Sequence, residues 1–255
     1  MGSLEFNIPS LKIYSNFSLN NINFVVPNKT ICALIGNNGS GKTSLINLLV
    51  KNQPCKANMI FVNNIDLNKL SYKELSKFVS YVPQINYIYP ELSVWDFVSI
   101  GRLPHTNFLG FLTKKDKKII NNVLDLLKIN HLASCKISQL SGGQLQKIIV
   151  ANALVQETSI VVFDEPLNHL DLKSQEELCL LIKNLRDQFE KTILVVLHDI
   201  EIAANLADQI VIVNNGKTPI IGAPINVITS ENIKAYFGVN RIVKKVNNKI
   251  IIVEN

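Results

Sequence analysis

The stretch ICALIGNNGSGKTSLINLL, residues 31–49, decides the fold that this sequence predicts. Its first five residues form an apolar run typical of a buried strand, and Ser44–Leu49 at its end is predicted to be helical. Between them, GNNGSGKT matches the pattern G-x-x-x-x-G-K-[ST]. A strand, a glycine-rich turn and a helix in this order indicate an α/β unit whose turn binds phosphate.

Each residue type in this turn suits phosphate binding. Glycines let backbone N–H groups turn towards phosphate oxygens, and the helix N-terminus adds partial positive charge. Lys42 can reach the β and γ phosphates, and the Thr43 hydroxyl can ligate Mg²⁺. The residues expected to bind this polyphosphate are Gly36, Asn37, Asn38, Gly39, Ser40, Gly41, Lys42, Thr43 and Ser44.

Strands and helices alternate along most of the chain. Apolar runs without period-2 alternation are typical of strands covered on both faces, so we expect an α/β fold with a mostly parallel sheet. The predicted strands are Thr30–Ile35, Met59–Val62, Phe78–Val82, Ile160–Phe163, Thr192–Leu197 and Gln209–Val213. The predicted helices are Ser44–Lys51, Lys114–Lys128, Leu145–Gln156, Lys173–Phe189 and Glu201–Ala207.

The region 85–156 interrupts this alternation, because it contains two helix-like patterns and no convincing strand. We therefore expect a single domain over 1–240, with its core in 1–84 and 157–240 and a helical insert between them. The tail, 241–255, is predicted to form a β-hairpin around Asn247-Asn248.

Composition excludes several classes of protein. The net charge of +6 fits an acidic ligand, nucleic acid or an anionic membrane surface without choosing among them. The four cysteines are far apart and form no C-x-x-C pair, which argues against a disulfide framework or a zinc site. No secretory signal and no apolar run long enough to cross a bilayer is present, so we expect membrane association only through a partner. The charged run Lys114–Lys118 is most simply a solvated helix face.

Polar residues follow three of the predicted strands. The strand 161–163 ends in Asp164 and Glu165, and ligands of open α/β sheets bind at the carboxyl ends of strands. Asp164 would hold Mg²⁺, and Glu165 would act as general base on the attacking water. His198 follows another buried strand, so a γ-phosphate contact is expected of it. Gln84 is a third polar residue at a strand end, and by itself it says little.

A second anion site is predicted at Leu140–Gln144, LSGGQ, which precedes a strongly apolar helix. Ser141 and the two glycines after it would present free N–H groups at a helix N-terminus, although any Ser-Gly-Gly can simply cap a helix. The chain would then have two half-sites for one polyphosphate. A head-to-tail dimer with two-fold symmetry resolves this, because each chain's second site covers the partner's phosphate turn.

These motifs, in this order, resemble those of an ATP-binding cassette ATPase, the nucleotide-binding subunit of an ABC transporter. The resemblance runs from about Leu11 to Val239. It covers the Walker A motif at 36–43, the Q-loop glutamine, the LSGGQ signature, the Walker B carboxylates, the D-loop Asn168–Asp171 and the switch histidine. It implies a P-loop core with N-terminal β-strands and an inserted α-helical subdomain, and it implies ATP and Mg²⁺ as cofactors.

The resemblance also assigns roles that the residues alone do not. It places Ser141, Gly142 and Gly143 on the γ-phosphate of the partner's ATP, and it adds Gln144 and Asp171 to the nucleotide-binding residues. It makes Gln84 a sensor and ligand of Mg²⁺ that links the site to the helical insert. Tyr14 lies at a suitable distance upstream to stack on adenine. Asn37, Asn152 and Leu167 depart from the family's usual residues without removing a phosphate, metal or base group.

The segment VWDFVSIGRLPH, residues 94–105, resembles importers of iron–siderophore complexes, haem or cobalamin. A plainer interpretation of its Gly-Arg-x-Pro element is a helix end, in which glycine breaks, arginine caps and proline stops the helix. An importer of another substrate, such as zinc or manganese, remains an alternative.

The importer hypothesis implies a homodimer, permease subunits contacted by the helical insert, and indirectly a substrate-binding protein. It places the chain on the cytoplasmic face of the inner membrane and implies no nucleic acid. One alternative is a permease-free ABC ATPase, as in iron–sulfur cluster assembly. A nucleic-acid ATPase ranks lower, because DNA-repair relatives carry a long coiled coil and translation-factor relatives carry two cassettes.

Overall fold

The computed structural model describes residues 3–84, 89–107, 109–247 and 249–254. Two sequence predictions reach outside these ranges: the start of the helical insert, 85–88, and Asn248 in the turn of the tail.

The described elements alternate as an α/β chain should. The strands are β1 (Leu4–Tyr14), β2 (Phe17–Val26), β3 (Ile31–Ile35), β4 (Ile60–Val62), β5 (Ile65–Asp66), β6 (Val79–Val82), β7 (Ile160–Asp164), β8 (Thr192–Val196), β9 (Gln209–Asn214), β10 (Lys217–Gly222), β11 (Arg241–Val246) and β12 (Lys249–Glu254). The helices are α1 (Lys42–Leu49), α2 (Tyr72–Leu75), α3 (Val94–Ile100), α4 (Lys114–Leu126), α5 (Gly142–Leu154), α6 (Leu172–Asp187), α7 (Ile200–Leu206), α8 (Pro224–Val227) and α9 (Ser230–Phe237).

A six-stranded sheet forms the centre of the domain, in the order β10-β9-β3-β8-β7-β6. Its strands pair parallel, except that β10 is antiparallel to β9. Every residue of β3, β7 and β8 is buried, because helices cover one face of the sheet, and α1 together with other strands covers the second. The predicted α/β fold with a mostly parallel sheet is confirmed.

A second, antiparallel sheet has the order β2-β1-β4-β5 and shares an apolar core with α1 and the central sheet. The sequence analysis listed Met59–Val62 among the buried strands, and the structure has a strand there, β4, with Ile60 and Val62 buried and Phe61 partly buried. This strand lies in the antiparallel sheet and not in the central one, because it pairs with β1, with Ile60 opposite Phe6. A three-residue strand is too short to reveal by its pattern which neighbours it has.

The described part of the region predicted as a helical insert, 89–107 and 109–156, contains three α-helices rather than two. The helix that the sequence analysis did not count is α3, whose seven residues are too few for a clear period. Gly101 ends this helix at a φ of −61°, so no left-handed conformation requires glycine there. A Cβ on Gly101 would lie 2.1 Å from the Asn152 carbonyl oxygen, so the glycine permits close packing of α3 on α5. The Asn152 side chain donates to the Phe97 carbonyl across the same contact (2.8 Å).

Arg102 forms a buried ion pair within the insert and also contacts the half-exposed Glu157, where the core resumes. Its guanidinium donates to Asp116 of α4 (2.9 Å), to the Val155 carbonyl at the end of α5 (2.6 Å) and to Glu157 (2.9 Å). The sequence analysis interpreted this arginine as a helix cap. It does cap a helix, but that helix is α5 and not α3, the helix that Arg102 follows. Both Arg102 and Asp116 are almost fully buried.

The tail segment contains β11 and β12, which pair antiparallel from Arg241 and Glu254 to Val246 and Lys249. Asn205 of α7 bonds the backbone N–H and carbonyl of Ile250, which fixes this hairpin to the domain. Among the described residues, none of the helices has the length and apolar character needed to cross a membrane.

Replacing Arg102 by methionine should destabilise the protein by about 3–5 kcal/mol, because it leaves the Asp116 carboxylate buried and unpaired. Urea unfolding of Arg102→Met, Asp116→Asn and the double variant measures this. The double variant should lose less stability than the two single losses added together. Fully additive losses would show that the two side chains are not coupled.

Asp116 should also make stability depend on pH. Burial raises the pKa of Asp116, but hydrogen bonds from Thr113 and from Arg102 outweigh it and lower the pKa from 3.8 to about 2. The unfolded chain therefore binds more protons in this range, so the stability that Asp116 contributes is complete above about pH 4 and is lost between about pH 4 and pH 2. The free energy of unfolding of Asp116→Asn should fall less steeply than the parent's over this range. Equal slopes would contradict this.

Candidate active site

A cleft of about 500 Å³ lies above the turn between β3 and α1. Residues 38–44 form its floor, Tyr14 and Phe17 stand on one side, and Glu165 closes the other. The cleft lies at the carboxyl ends of the central parallel strands, where α/β sheets bind ligands.

The turn itself is shaped by glycines that no other residue could replace. Gly36 has a φ of 150°, and a Cβ there would lie 2.2 Å from the Val213 carbonyl oxygen of β9. Gly41 has a φ of 110° and precedes α1 without a side-chain cap, so the first N–H groups of the helix are left for a ligand. Asn37 donates to the Tyr236 carbonyl (2.8 Å), which fastens the turn to α9.

Lys42 lies almost fully buried under the turn. Its Nζ donates to the carbonyl oxygens of Gly36 (2.7 Å) and Asn37 (3.0 Å). Burial lowers the pKa of Lys42, while the charges of Glu165 and Asp164 oppose that shift. The Ser40 hydroxyl is also buried and has no hydrogen-bond partner. A desolvated cation and an unpaired hydroxyl in one cradle fit a polyphosphate.

Asp164 ends β7 and is 4% exposed. Its Oδ2 accepts a hydrogen bond from the Tyr81 hydroxyl (3.3 Å), and its buried Oδ1 has no hydrogen-bond partner in the described part of the chain. Burial raises the pKa of Asp164, and the neighbouring Glu165 raises it further. An unpaired carboxylate oxygen, with the exposed Thr43 nearby in the cleft, is a donor set that Mg²⁺ accepts.

The Glu165 carboxylate is held by three side chains from three segments. His198 Nε2 lies 2.6 Å from Oε1, and Oε2 accepts from Gln84 (3.2 Å) and Asn168 (2.7 Å). The backbone of Glu165 is left-handed, with a φ of 51°. The sequence analysis expected Glu165, His198 and Gln84 at one sheet edge, and the structure places them in contact. It gave no separate role to Asn168, although a residue three positions on can reach back to the carboxylate.

The signature residues form a helix cap in the structure. Ser141 Oγ accepts from the Gln144 N–H (3.3 Å), and the Ser141 N–H donates to the Gln144 side chain (2.9 Å). Gly142 is exposed, and space for a Cβ is open there. Asp171 caps α6 by accepting from the Ser174 N–H (2.7 Å). None of these residues is among the described residues that line the cleft, so one chain does not bring them to the phosphate turn.

Tyr14 stands at the rim of the cleft with 54% of its surface exposed. Its hydroxyl accepts a hydrogen bond from Gln53 (3.1 Å), which orients the ring. Phe17 lines the cleft beside it and was missed in the sequence analysis. The available signal was an aromatic residue that follows Tyr14 after only two positions.

Comparison with known proteins agrees with this geometry. A family model described as ABC transporter matches residues 19–168. An uncharacterised ABC transporter ATP-binding protein of Methanocaldococcus jannaschii is 37% identical over 92% of this chain and 91% of its own length. The petrobactin import ATP-binding protein YclP of Bacillus subtilis is 33% identical over 87% of each chain.

The fold is also similar to that of a metal-chelate type ABC transporter solved in an inward-facing conformation. The TM-score is 0.85 at 26% identity, covering 99% of this chain and 96% of the other. The chain therefore belongs to the ABC transporter family, as an ATP-binding subunit of the kind whose ATPase activity is coupled to transport.

Removing the aromatic ring at Tyr14 should weaken nucleotide binding without unfolding the protein. Stacking of a base on an aromatic ring contributes about 1–3 kcal/mol, so Tyr14→Ala should bind ADP about 5- to 150-fold more weakly. Tyr14→Phe keeps the ring and should bind like the parent. Titration calorimetry measures this, with Tyr72→Ala as control, because Tyr72 is exposed and does not line the cleft. If Tyr14→Ala binds ADP with the affinity of the parent, Tyr14 does not contribute to nucleotide binding.

Proposed function

We propose that this chain is the ATP-hydrolysing subunit of an importer for metal chelates of the iron–siderophore, haem or cobalamin type. The observation that carries the proposal is the Glu165 carboxylate, held by His198, Gln84 and Asn168 beside a cleft that fits a polyphosphate. The relatives named for petrobactin import and for metal-chelate transport support the importer branch.

The proposed chemistry divides among the residues of the cleft. The N–H groups of residues 36–44 and Lys42 bind the phosphates, and Tyr14 stacks on adenine. Thr43, Gln84 and Asp164 would hold Mg²⁺, which supplies positive charge to the phosphate oxygens when it is bound. Glu165 accepts a proton from the attacking water. His198, which contacts Glu165 through Nε2, is the residue proposed to contact the γ-phosphate.

A head-to-tail homodimer would complete the site. Ser141 caps a thirteen-residue helix that begins at Gly142. The exposed N-terminus of this helix, with Gly143 and Gln144, is not part of the lining of its own chain's cleft. In a two-fold dimer, this N-terminus and Asp171 would meet the ATP of the partner. ATP would then favour the closed dimer, because both half-sites bind it only in that state.

A groove beside α2 is the proposed permease contact. Exposed Tyr72 and Leu103 line it, together with Pro104 and Gln156, and it has a volume of about 510 Å³. Tyr81 also lines this groove, and its hydroxyl contacts Asp164. The permease would hold the chain at the cytoplasmic face of the inner membrane, with a substrate-binding protein reached only indirectly and no nucleic acid involved.

Glu165→Gln should retain ATP binding and lose hydrolysis by about 10²- to 10⁴-fold, the usual contribution of a general base. The amide keeps the shape of the site but accepts no proton, so ATP should trap a dimer that gel filtration detects. Glu190→Gln is the control, because Glu190 is exposed and pairs with Lys29. This variant should hydrolyse ATP like the parent. Parental turnover in Glu165→Gln would show that another group is the base.

Purification in detergent from native membranes, followed by mass spectrometry, tests the transport proposal. A multi-helix permease of the metal-chelate type should be recovered in stoichiometric amount, and Tyr72→Ala with Leu103→Ala should reduce its recovery while ADP affinity is unchanged. A permease of another type would remove the branch assignment. Recovery with soluble proteins alone would favour the permease-free alternative.

A further inference from the structure

The loop that connects the 3₁₀ turn Leu103–His105 to α4 exposes large apolar side chains. Leu109 is 69% exposed and Phe111 is 67% exposed. Apolar side chains as accessible as these, two positions apart on one short loop, form the kind of patch that marks an interaction surface. The cleft and the proposed permease groove do not use them.

Lysines follow this loop immediately, on the first turns of α4. Lys114, Lys115, Lys117 and Lys118 are all exposed, and within the described residues none of them forms an ion pair. Cations at a helix N-terminus are disfavoured by the helix dipole, so this placement costs stability. Folding does not require these lysines, so a function on the surface of α4 would explain why they are present despite the loss of stability.

The acidic residue within the same turn does not offset these lysines at the surface. Asp116 is buried and accepts hydrogen bonds from Arg102 and from the Thr113 N–H. Its negative charge therefore faces the interior of the domain and does not neutralise the surface lysines. The outer surface of the first α4 turns is therefore uniformly positive. We call Leu109, Phe111 and the four lysines the loop–α4 surface.

We propose that the loop–α4 surface binds a lipid bilayer rich in anionic headgroups. Exposed leucine and phenylalanine side chains can bury in the boundary between headgroups and acyl chains without needing a shaped pocket in the partner. Flexible lysines around them match a layer of lipid phosphates, each contributing to binding near the surface. Both features lie on adjacent residues, which suits a bilayer because it presents anionic headgroups and apolar acyl chains side by side over its whole surface.

The position of this surface agrees with the proposed importer. The loop begins just after Leu103 and Pro104, which line the proposed permease groove, and Lys73 from the other side of that groove donates to the Thr106 carbonyl (3.4 Å). The orientation of this surface towards a membrane rests on the proposed function. Lipid binding by the chain itself does not depend on the proposed function, and it can be measured without a permease.

Co-sedimentation of the full chain with vesicles tests the inference. Vesicles of phosphatidylglycerol and phosphatidylethanolamine in equal amounts should retain the protein, and vesicles of phosphatidylcholine alone should not. Added salt should weaken binding, because it screens the lysines. Lys117→Glu with Lys118→Glu should bind at least about 25-fold more weakly, about fivefold for each lysine removed. Leu109→Ser with Phe111→Ser should weaken binding at least about tenfold.

Matched variants separate this surface from the overall charge of the protein. Lys244→Glu with Lys245→Glu changes the net charge equally on the exposed β11, and it should bind anionic vesicles like the parent. Leu180→Ser with Ile225→Ser removes two exposed apolar side chains elsewhere and should do the same. Parental ADP affinity in every variant confirms that each is folded.

Three results would overturn the inference: no binding to anionic vesicles, equal binding to both kinds of vesicle, or equal weakening by the two lysine pairs. If the chain fails to bind vesicles but is still recovered with a permease, the lipid inference fails and the proposed function stands. If it binds vesicles and hydrolyses ATP but no permease is recovered, the proposed function fails and the lipid inference stands.

Discussion

The parallel register of the central sheet is the constraint on which the site depends. Ala33 of β3 pairs with Val195 of β8, Val195 pairs with Phe163 of β7, and Phe163 pairs with Val82 of β6. The chain segments that follow these strands therefore emerge at one edge, although they are separated by up to about 160 positions in sequence. A shift of one residue in any of these strands would exchange its two faces, and because both faces are buried, its side chains would have to fit spaces packed for others.

The edge formed in this way contains groups that folding alone would disfavour. Among the residues that the structure describes, a buried oxygen of Asp164 and the buried hydroxyl of Ser40 have no hydrogen-bond partner, and Lys42 donates only to backbone carbonyls. Each costs free energy in the chain without ligand, because a buried polar group loses its water. Phosphate and a divalent cation would supply the missing partners. Burial of the surrounding apolar strands stabilises the fold enough to offset this loss of free energy.

Much of this arrangement could be predicted from the sequence, because local patterns decide it. In the phosphate turn, the spacing of the glycines follows from the backbone conformation that phosphate binding needs. The apolar run that ends in two carboxylates identifies β7 by itself. Other features could not be predicted, because they depend on distant contacts. Nothing local shows that β4 pairs with β1, or that Gly101 is required by the carbonyl of Asn152. Asn168 was within reach of a local argument, since it lies three residues beyond Glu165.

The helical insert and the site are joined at two places that act through different chemistry. At one, Arg102 ties α4 and the end of α5 to Glu157, so the insert is pinned to the segment that leads into β7. At the other, Tyr81 lines the groove and donates to Asp164 on its far side. The first connection joins a buried ion pair within the insert, Arg102 with Asp116, to the half-exposed Glu157. The second is a single hydrogen bond of 3.3 Å from Tyr81 to Asp164, the carboxylate proposed to hold Mg²⁺. Breaking this bond would leave a buried carboxylate with one partner fewer, so the two side chains should move together. A contact in the groove that shifts Tyr81 would therefore be felt at Asp164.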